Sequence, residues 1–243
     1  MKKSTIAIAL GGVLSIMPCM ADDSTSAPGV AISAKASTLG LGAELDYGFN
    51  NYWNLRLQFN TFNYDDDFEE DGIDYAGELD LSSVGVLADF RPFAGSFKLT
   101  AGLYTNKNAI SANAVSRADK TFEIGNSRFA GSVNDPLRLN ADIELGNSSA
   151  GYLGLGFGNA YESGFTMSFD LGVLFSGAAK ARLSASGSAY NTQFPSVIFD
   201  VNGNSVAANA FRQQLATEQA NLQDDIDDFE IYPVIAVGLG YRF

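Results

Sequence analysis

Eight charged side chains stand where the chain alternates between apolar and polar residues. Glu44, Asp46, Asp89 and Asp170 are acidic; Arg56, Arg91, Lys98 and Arg242 are basic. If they share an enclosed space, four acids against four bases make a self-pairing set. A selectivity ring would carry one sign. An unpaired charge in a narrow interior is costly, so these eight should be paired or hydrated. Catalysis fits the composition poorly. The chain has no histidine, which excludes a Ser-His-Asp triad, and Cys19 is its only cysteine, so zinc lacks its usual ligands. No glycine-rich phosphate loop appears. No catalytic residue, metal site or cofactor is expected, and carboxylate acid–base chemistry is the only enzymatic residual.

Two acidic runs also carry chemistry. Asp65-Asp66-Asp67-Phe68-Glu69-Glu70-Asp71 reads as a loop, and Asp224-Asp225-Ile226-Asp227-Asp228-Phe229-Glu230 follows a helical stretch. Hard cations take several carboxylate oxygens, but neither run has the spaced acidic loop with its turn glycine. Carboxylates at a helix C-terminus oppose the macrodipole, so a cation or basic partner would relieve the second run. The blander reading, a solvated face screened by salt, is preferred.

The elements that must position these residues alternate with period two. Leu39, Leu41, Ala43, Leu45, Tyr47 and Phe49 oppose Gly40, Gly42, Glu44, Asp46 and Gly48. The same pattern holds for Trp53–Asn60, Ser83–Phe90, Phe97–Tyr104, Leu153–Phe157, Phe165–Val173 and Ile235–Phe243. A soluble sandwich alternates too, with its apolar face inward. Here the polar face is rich in Gly, Ser, Asn and charges of both signs, as a narrow barrel interior would be. Aromatics gather at strand ends: Phe49, Tyr52 and Trp53, then Phe90, Phe93 and Phe97, then Phe157, Tyr161 and Phe165. Aromatic girdles belong to outer-membrane barrels. The expected fold is therefore all-β, an antiparallel up-and-down transmembrane β-barrel spanning 22–243.

The N-terminus reads as a signal peptide over 1–21. Lys2 and Lys3 precede an apolar run, Ile6 to Met17, and Cys19-Met20-Ala21 offers small residues before a cut at Asp22. Lipidation of Cys19 is disfavoured by Pro18 before it. The remaining chain has 13 basic and 28 acidic side chains, a net charge of −15. Such a balance excludes nucleic acid as a partner. No later apolar stretch is long enough for a membrane helix. A closed barrel remains possible, because every backbone group is then paired between strands.

The strand count holds a conflict. Seven segments are strong, and Lys180–Ala189 is a weak eighth, with Ala181, Leu183 and Ala185 as a poor lipid face. Single-chain bacterial barrels have even strand numbers from eight upward. Counting that segment gives eight, but puts the short Asn50-Asn51 and Pro92–Ser96 turns outside, where long loops are normal. The alternative is ten strands, or a strand missed elsewhere; Leu137, Leu139, Ala141 and Ile143 alternate within 107–149. Long connections are expected at 64–75, 106–149 and 190–228. The last holds one amphipathic helix before the final strand, with Phe211, Leu215, Leu222, Ile226 and Phe229 on one face and Gln213, Gln214, Gln219 and Gln223 on the others. Packing on the protein's own loops is the preferred use of that stripe.

The final segment, Val237-Gly238-Leu239-Gly240-Tyr241-Arg242-Phe243, resembles the terminal strand signature of bacterial outer-membrane proteins, which implies that Leu239, Tyr241 and Phe243 are read by the barrel-assembly machinery. Three further stretches, Thr38–Leu45, Leu87–Phe93 and Asp224–Phe243 with its Tyr232-Pro233, resemble a group of small proteobacterial outer-membrane proteins. That resemblance implies a barrel in the cell outer membrane, with lipid as its surroundings, and lends no activity. The functional expectation is a structural or surface-interaction barrel with a polar, plugged lumen. The alternative is a channel for small solutes, or a transporter of apolar ligands across the outer membrane.

Overall fold

The structure, a computed structural model, describes residues 29–70, 73–116, 120–158 and 163–243. The signal-peptide segment lies outside the described residues, as does Tyr161. Eight antiparallel strands close a barrel: β1 (Gly29–Ser37), β2 (Gly40–Gly48), β3 (Trp53–Glu70), β4 (Ile73–Phe90), β5 (Phe97–Asn106), β10 (Ser149–Gly158), β11 (Gly164–Phe175) and β15 (Ile231–Arg242). Closure is made by β1 against β15, from Ala31↔Arg242 to Ser37↔Ala236. The alternation then sorts side chains by physics. Leu45, Leu57 and Val86 meet in register on the outer wall, while Glu44, Arg56 and Asp89 are buried within.

The eighth wall strand is not the expected one. Lys180–Ser186 forms β12, which pairs with β9 (Leu137–Glu144) outside the barrel. The missing strand is β1. Its outer face holds Val30, Ile32, Ala34 and Ala36, too small in amplitude to stand out in the sequence. This correction removes the conflict over turns. With β1 in the wall, the Phe49–Tyr52 and Arg91–Ser96 turns lie at the end that holds Gly29 and Arg242. The long connections all leave from the opposite, far end. Leu39 is a second correction: it sits in the β1–β2 turn, fully buried, rather than on the lipid face. Gly40 follows it at φ 107°, a conformation open to glycine.

The aromatic residues mark the near end. Tyr47 packs on Phe49, Trp53 on Phe90, Phe97 on Phe157 and Phe165 on Tyr241, with centroids 4.9–5.7 Å apart. All of these rings except Phe90 and Phe97 are exposed large hydrophobics, which suits an interface.

At the far end β3 and β4 run on beyond the barrel as one unbroken hairpin, from Trp53↔Phe90 to Glu70↔Ile73. The outer half of β4 pairs with β6 (Ala109–Ser116), β6 with β9, and β9 with β12. A second small sheet joins β7 (Thr121–Ile124), β8 (Ser127–Gly131), β13 (Ser188–Asn191) and β14 (Phe199–Asp200). Helix α1 (Val206–Ile226) packs on both, capped by Ser205, whose side chain accepts from the Ala208 amide. Phe122, Ile124, Phe129, Leu137, Phe199 and Phe211 form a core of their own. Of the expected helical stripe, Phe211 is buried with Leu215 packed beside it, Leu222 and Ile226 are half-buried, and Phe229 lies past the end of the helix and is exposed.

The helix glutamines do unexpected work. Strand β12 is a sheet edge, and its alternate backbone groups point at α1. Gln223 accepts from the Ala181 amide at 2.9 Å and donates to the Ala179 carbonyl at 2.8 Å. One turn earlier Gln219 accepts from the Leu183 amide at 3.0 Å, and Asn202 donates to the Ala185 carbonyl at 3.2 Å. Bare edge groups invite pairing with other chains, and here side chains occupy them.

Candidate functional site: a closed lumen

The lumen is filled in four layers. At its middle, three acids meet three bases. Arg56 is the hub: its Nη1 lies 2.9 Å from Glu44 Oε2 and 3.5 Å from Asp170 Oδ2, and its Nε lies 2.8 Å from Asp89 Oδ2. Lys98 reaches Asp170 at 2.8 Å, and Lys35 reaches Asp170 at 2.6 Å and Glu44 at 3.0 Å. Thr100 donates to Asp89 at 2.7 Å. All six charges are at most 5 % exposed and formally cancel. A carboxylate without its partners would hold an uncompensated charge there, so the set holds together as a unit.

Five of the eight expected lumen charges thus belong to this network: Glu44, Arg56, Asp89, Lys98 and Asp170. Lys35 joins them from the strand that the alternation did not reveal. The other three occupy the near end. Asp46 accepts from Asn54 at 3.3 Å. Arg91 donates to the carbonyls of Gly95, Ser96 and Gly158 at 3.1–3.3 Å, tying the turn to β10. Arg242 lies against Gly29 and Gly48; a Cβ at Gly29 would sit 2.6 Å from its Nη2. Asp46, Asn54, Arg91 and Arg242 line a cavity of about 30 Å³, room for a water or two. Five of the eight therefore meet in the central ion pairs, and the other three line the near-end cavity of the same lumen. Inward parity brought them to one lumen, but height along the barrel decides which can touch.

Above the ion pairs lies an amide and hydroxyl layer. Gln58 donates to Asn60 at 2.9 Å, Asn60 to Ser83 at 3.0 Å, and Tyr104 to Gln58 at 2.7 Å. Beyond it the lumen turns apolar: Leu39, Leu87, Tyr104, Tyr152, Leu174 and Val234 pack together, all at most 4 % exposed. Glycines on neighbouring strands admit the large rings. A Cβ at Gly85 would come within 2.4 Å of Tyr104, and one at Gly172 within 2.3 Å of the Tyr152 hydroxyl. This apolar stopper is the layer that sequence reasoning missed. Its signal was present, since Leu87 and Tyr104 fall on the inner face by parity.

The walls are those of a small barrel, whose interior is just wide enough for side chains. Lipid-facing Leu, Val and Phe outside and matched charges inside describe a protein that lives in hydrocarbon. The fold is that of a small outer-membrane β-barrel. Two crystal structures from Acinetobacter baumannii are similar to it. CarO is 23% identical with a TM-score of 0.55, over 88% of this chain and 98% of its own. CarO2 is 20% identical with a TM-score of 0.53, over 91% of this chain and all of its own. At that identity the likeness concerns architecture. No protein-family model matches the chain, and no curated protein sequence does.

Proposed function

We propose that the barrel is a closed anchor in the cell outer membrane and that its far-end cap works at the cell surface. One observation carries this reading: two successive barriers, a neutral ion-pair network and an apolar stopper, fill the lumen between its ends. Short turns and chain termini are periplasmic in such barrels, so the cap faces outward. The charge distribution agrees. The segments joining strands at the far end, 61–82, 107–148 and 176–230, hold 21 acidic and eight basic side chains, so most of the negative charge lies there. Export by a cleaved signal peptide and insertion through a terminal signal of Leu239, Tyr241 and Phe243 complete the proposal; Leu239 and Tyr241 face outward and Arg242 inward, as an amphipathic last strand requires. The test is single-channel recording in a planar bilayer. The purified protein should give little or no conductance. A steady, large conductance in the wild type would defeat the closed-lumen reading and put a solute channel in its place.

A further inference from the structure

The five-stranded outer sheet treats its two edges differently. At one edge, β12, side chains of Gln219, Gln223 and Asn202 take the backbone groups of Ala179, Ala181, Leu183 and Ala185. At the other, β3 pairs with β2 only as far as Thr61↔Leu41, and its outer half pairs with β4 alone. The backbone parity can be followed from the near-end turn. The Trp53 carbonyl accepts from Phe49, on the β2 side, and the Tyr52 carbonyl from Arg91, on the β4 side. Odd residues of β3 therefore face β2 as far as Thr61, and beyond it the amides and carbonyls of Asn63, Asp65 and Asp67 face outward along the bare edge. Among the described residues nothing bonds to that edge. Residues 61–67 are all exposed.

We propose that this edge is a docking site for an extended, basic polypeptide segment, which adds to the outer sheet as a further antiparallel or parallel strand. Backbone hydrogen bonds supply such binding, and side chains select the partner. The partner's sign follows from charge: residues 61–82 carry nine acidic and no basic side chains. A second copy of this edge would bring like charges face to face, which opposes self-association. An acidic strand or an anionic lipid surface would be repelled in the same way. A strand with Lys or Arg at alternate positions would place its cations on one face, beside Asp65 and Asp67. This deepens the surface-interaction reading and rests on it; lumen conductance tests that reading separately.

The experiment uses the full-length barrel in detergent micelles or phosphatidylcholine vesicles and two fluorescent nine-residue peptides, one alternating Lys with Val and one alternating Glu with Val. Anisotropy reports binding, and hydrogen exchange reports the Asn63, Asp65 and Asp67 amides. The Lys peptide should bind and slow exchange at those amides, and the Glu peptide should not bind. Proline at 65 and 67 removes two edge donors while leaving the β4-facing amides intact. The Asp65→Pro/Asp67→Pro variant should bind the Lys peptide about tenfold more weakly, with unchanged heat-modifiable mobility of the barrel. A second variant, Asp65→Asn/Asp66→Asn/Asp67→Asn, keeps the edge donors and should lose most of the salt dependence of binding. Equal binding of both peptides, unprotected amides in the complex, or full affinity in the proline variant would overturn the proposal. So would a concentration-dependent dimer of the wild type that the prolines abolish, which would make a second copy the occupant.

Discussion

Replacing Arg56 with alanine tests the lumen most directly. Arg56 is 1 % exposed and touches all three carboxylates of the network, at 2.9 Å, 2.8 Å and 3.5 Å. Without it, Glu44, Asp89 and Asp170 face only Lys35 and Lys98. One negative charge is left over, at a depth where water has little room. Breaking a buried pair in this way costs about 3–5 kcal/mol. Domains are commonly stable by only about 5–15 kcal/mol, so the loss should be plain. The informative comparison is Arg56→Met with Asp89→Asn. That pair of changes keeps side-chain volume and leaves two acids against two bases. Because a buried ion pair is weak net stabilisation, this double variant should recover at least half of the loss. Urea unfolding in lipid vesicles measures both, followed by the fluorescence of Trp53, the single tryptophan, which sits on the outer wall. Neither variant should conduct, since the stopper of Leu39, Tyr104, Tyr152 and Leu174 is untouched. A loss below about 1 kcal/mol for Arg56→Ala would mean that water screens the orphan carboxylate, against the filled-lumen argument. A double variant weaker than the single one would refute the charge-balance reasoning itself.

Leu57 and Leu99 face outward on the wall, and an Arg at either should destabilise the vesicle-inserted barrel by about 2–4 kcal/mol if it lies near the bilayer midplane; normal stability would mean that this face does not meet lipid. Gln219→Ala and Gln223→Ala should speed amide exchange at Leu183 and Ala181 respectively, each by about tenfold, while amides of β2 stay protected; unchanged exchange would deny the glutamines their edge-capping role. Deleting Phe243 should lower the heat-modifiable, membrane-integrated fraction in cells and raise periplasmic degradation; wild-type insertion would show that the terminal residue is not part of an assembly signal.

Most of the wall was legible because lipid on one side and charge on the other force alternation. Strands β2, β3, β4, β5, β10, β11 and β15 all announce themselves this way. Strand β1 did not, because Ala34 and Ala36 face lipid where Leu or Phe would have been conspicuous. With β1 went Lys35, and with Lys35 the correct balance of the network. Lys180–Ser186 alternates for a different reason, as an outer-sheet edge with one face toward α1, and period alone does not distinguish the two settings. The separation of Asp46, Arg91 and Arg242 from the ion pairs depends on strand register, which a single chain read residue by residue does not contain. The stopper was hidden by the expectation that inner faces are polar, although Tyr104 and Tyr152 fit inside only because glycines on adjacent strands give way to them.

The unbroken passage of β3 and β4 from wall to cap has a mechanical consequence. Each strand keeps one register over 18 residues, with no bulge at which to bend. At about 3.4 Å per residue such a strand measures about 60 Å, more than twice the apolar band of a barrel. The hairpin is therefore a stiff mast rooted in the bilayer. A pull at its tip would load the wall as shear along two ladders at once rather than swing a lid. Force spectroscopy should accordingly find that the cap does not yield at a joint before the barrel bears the load.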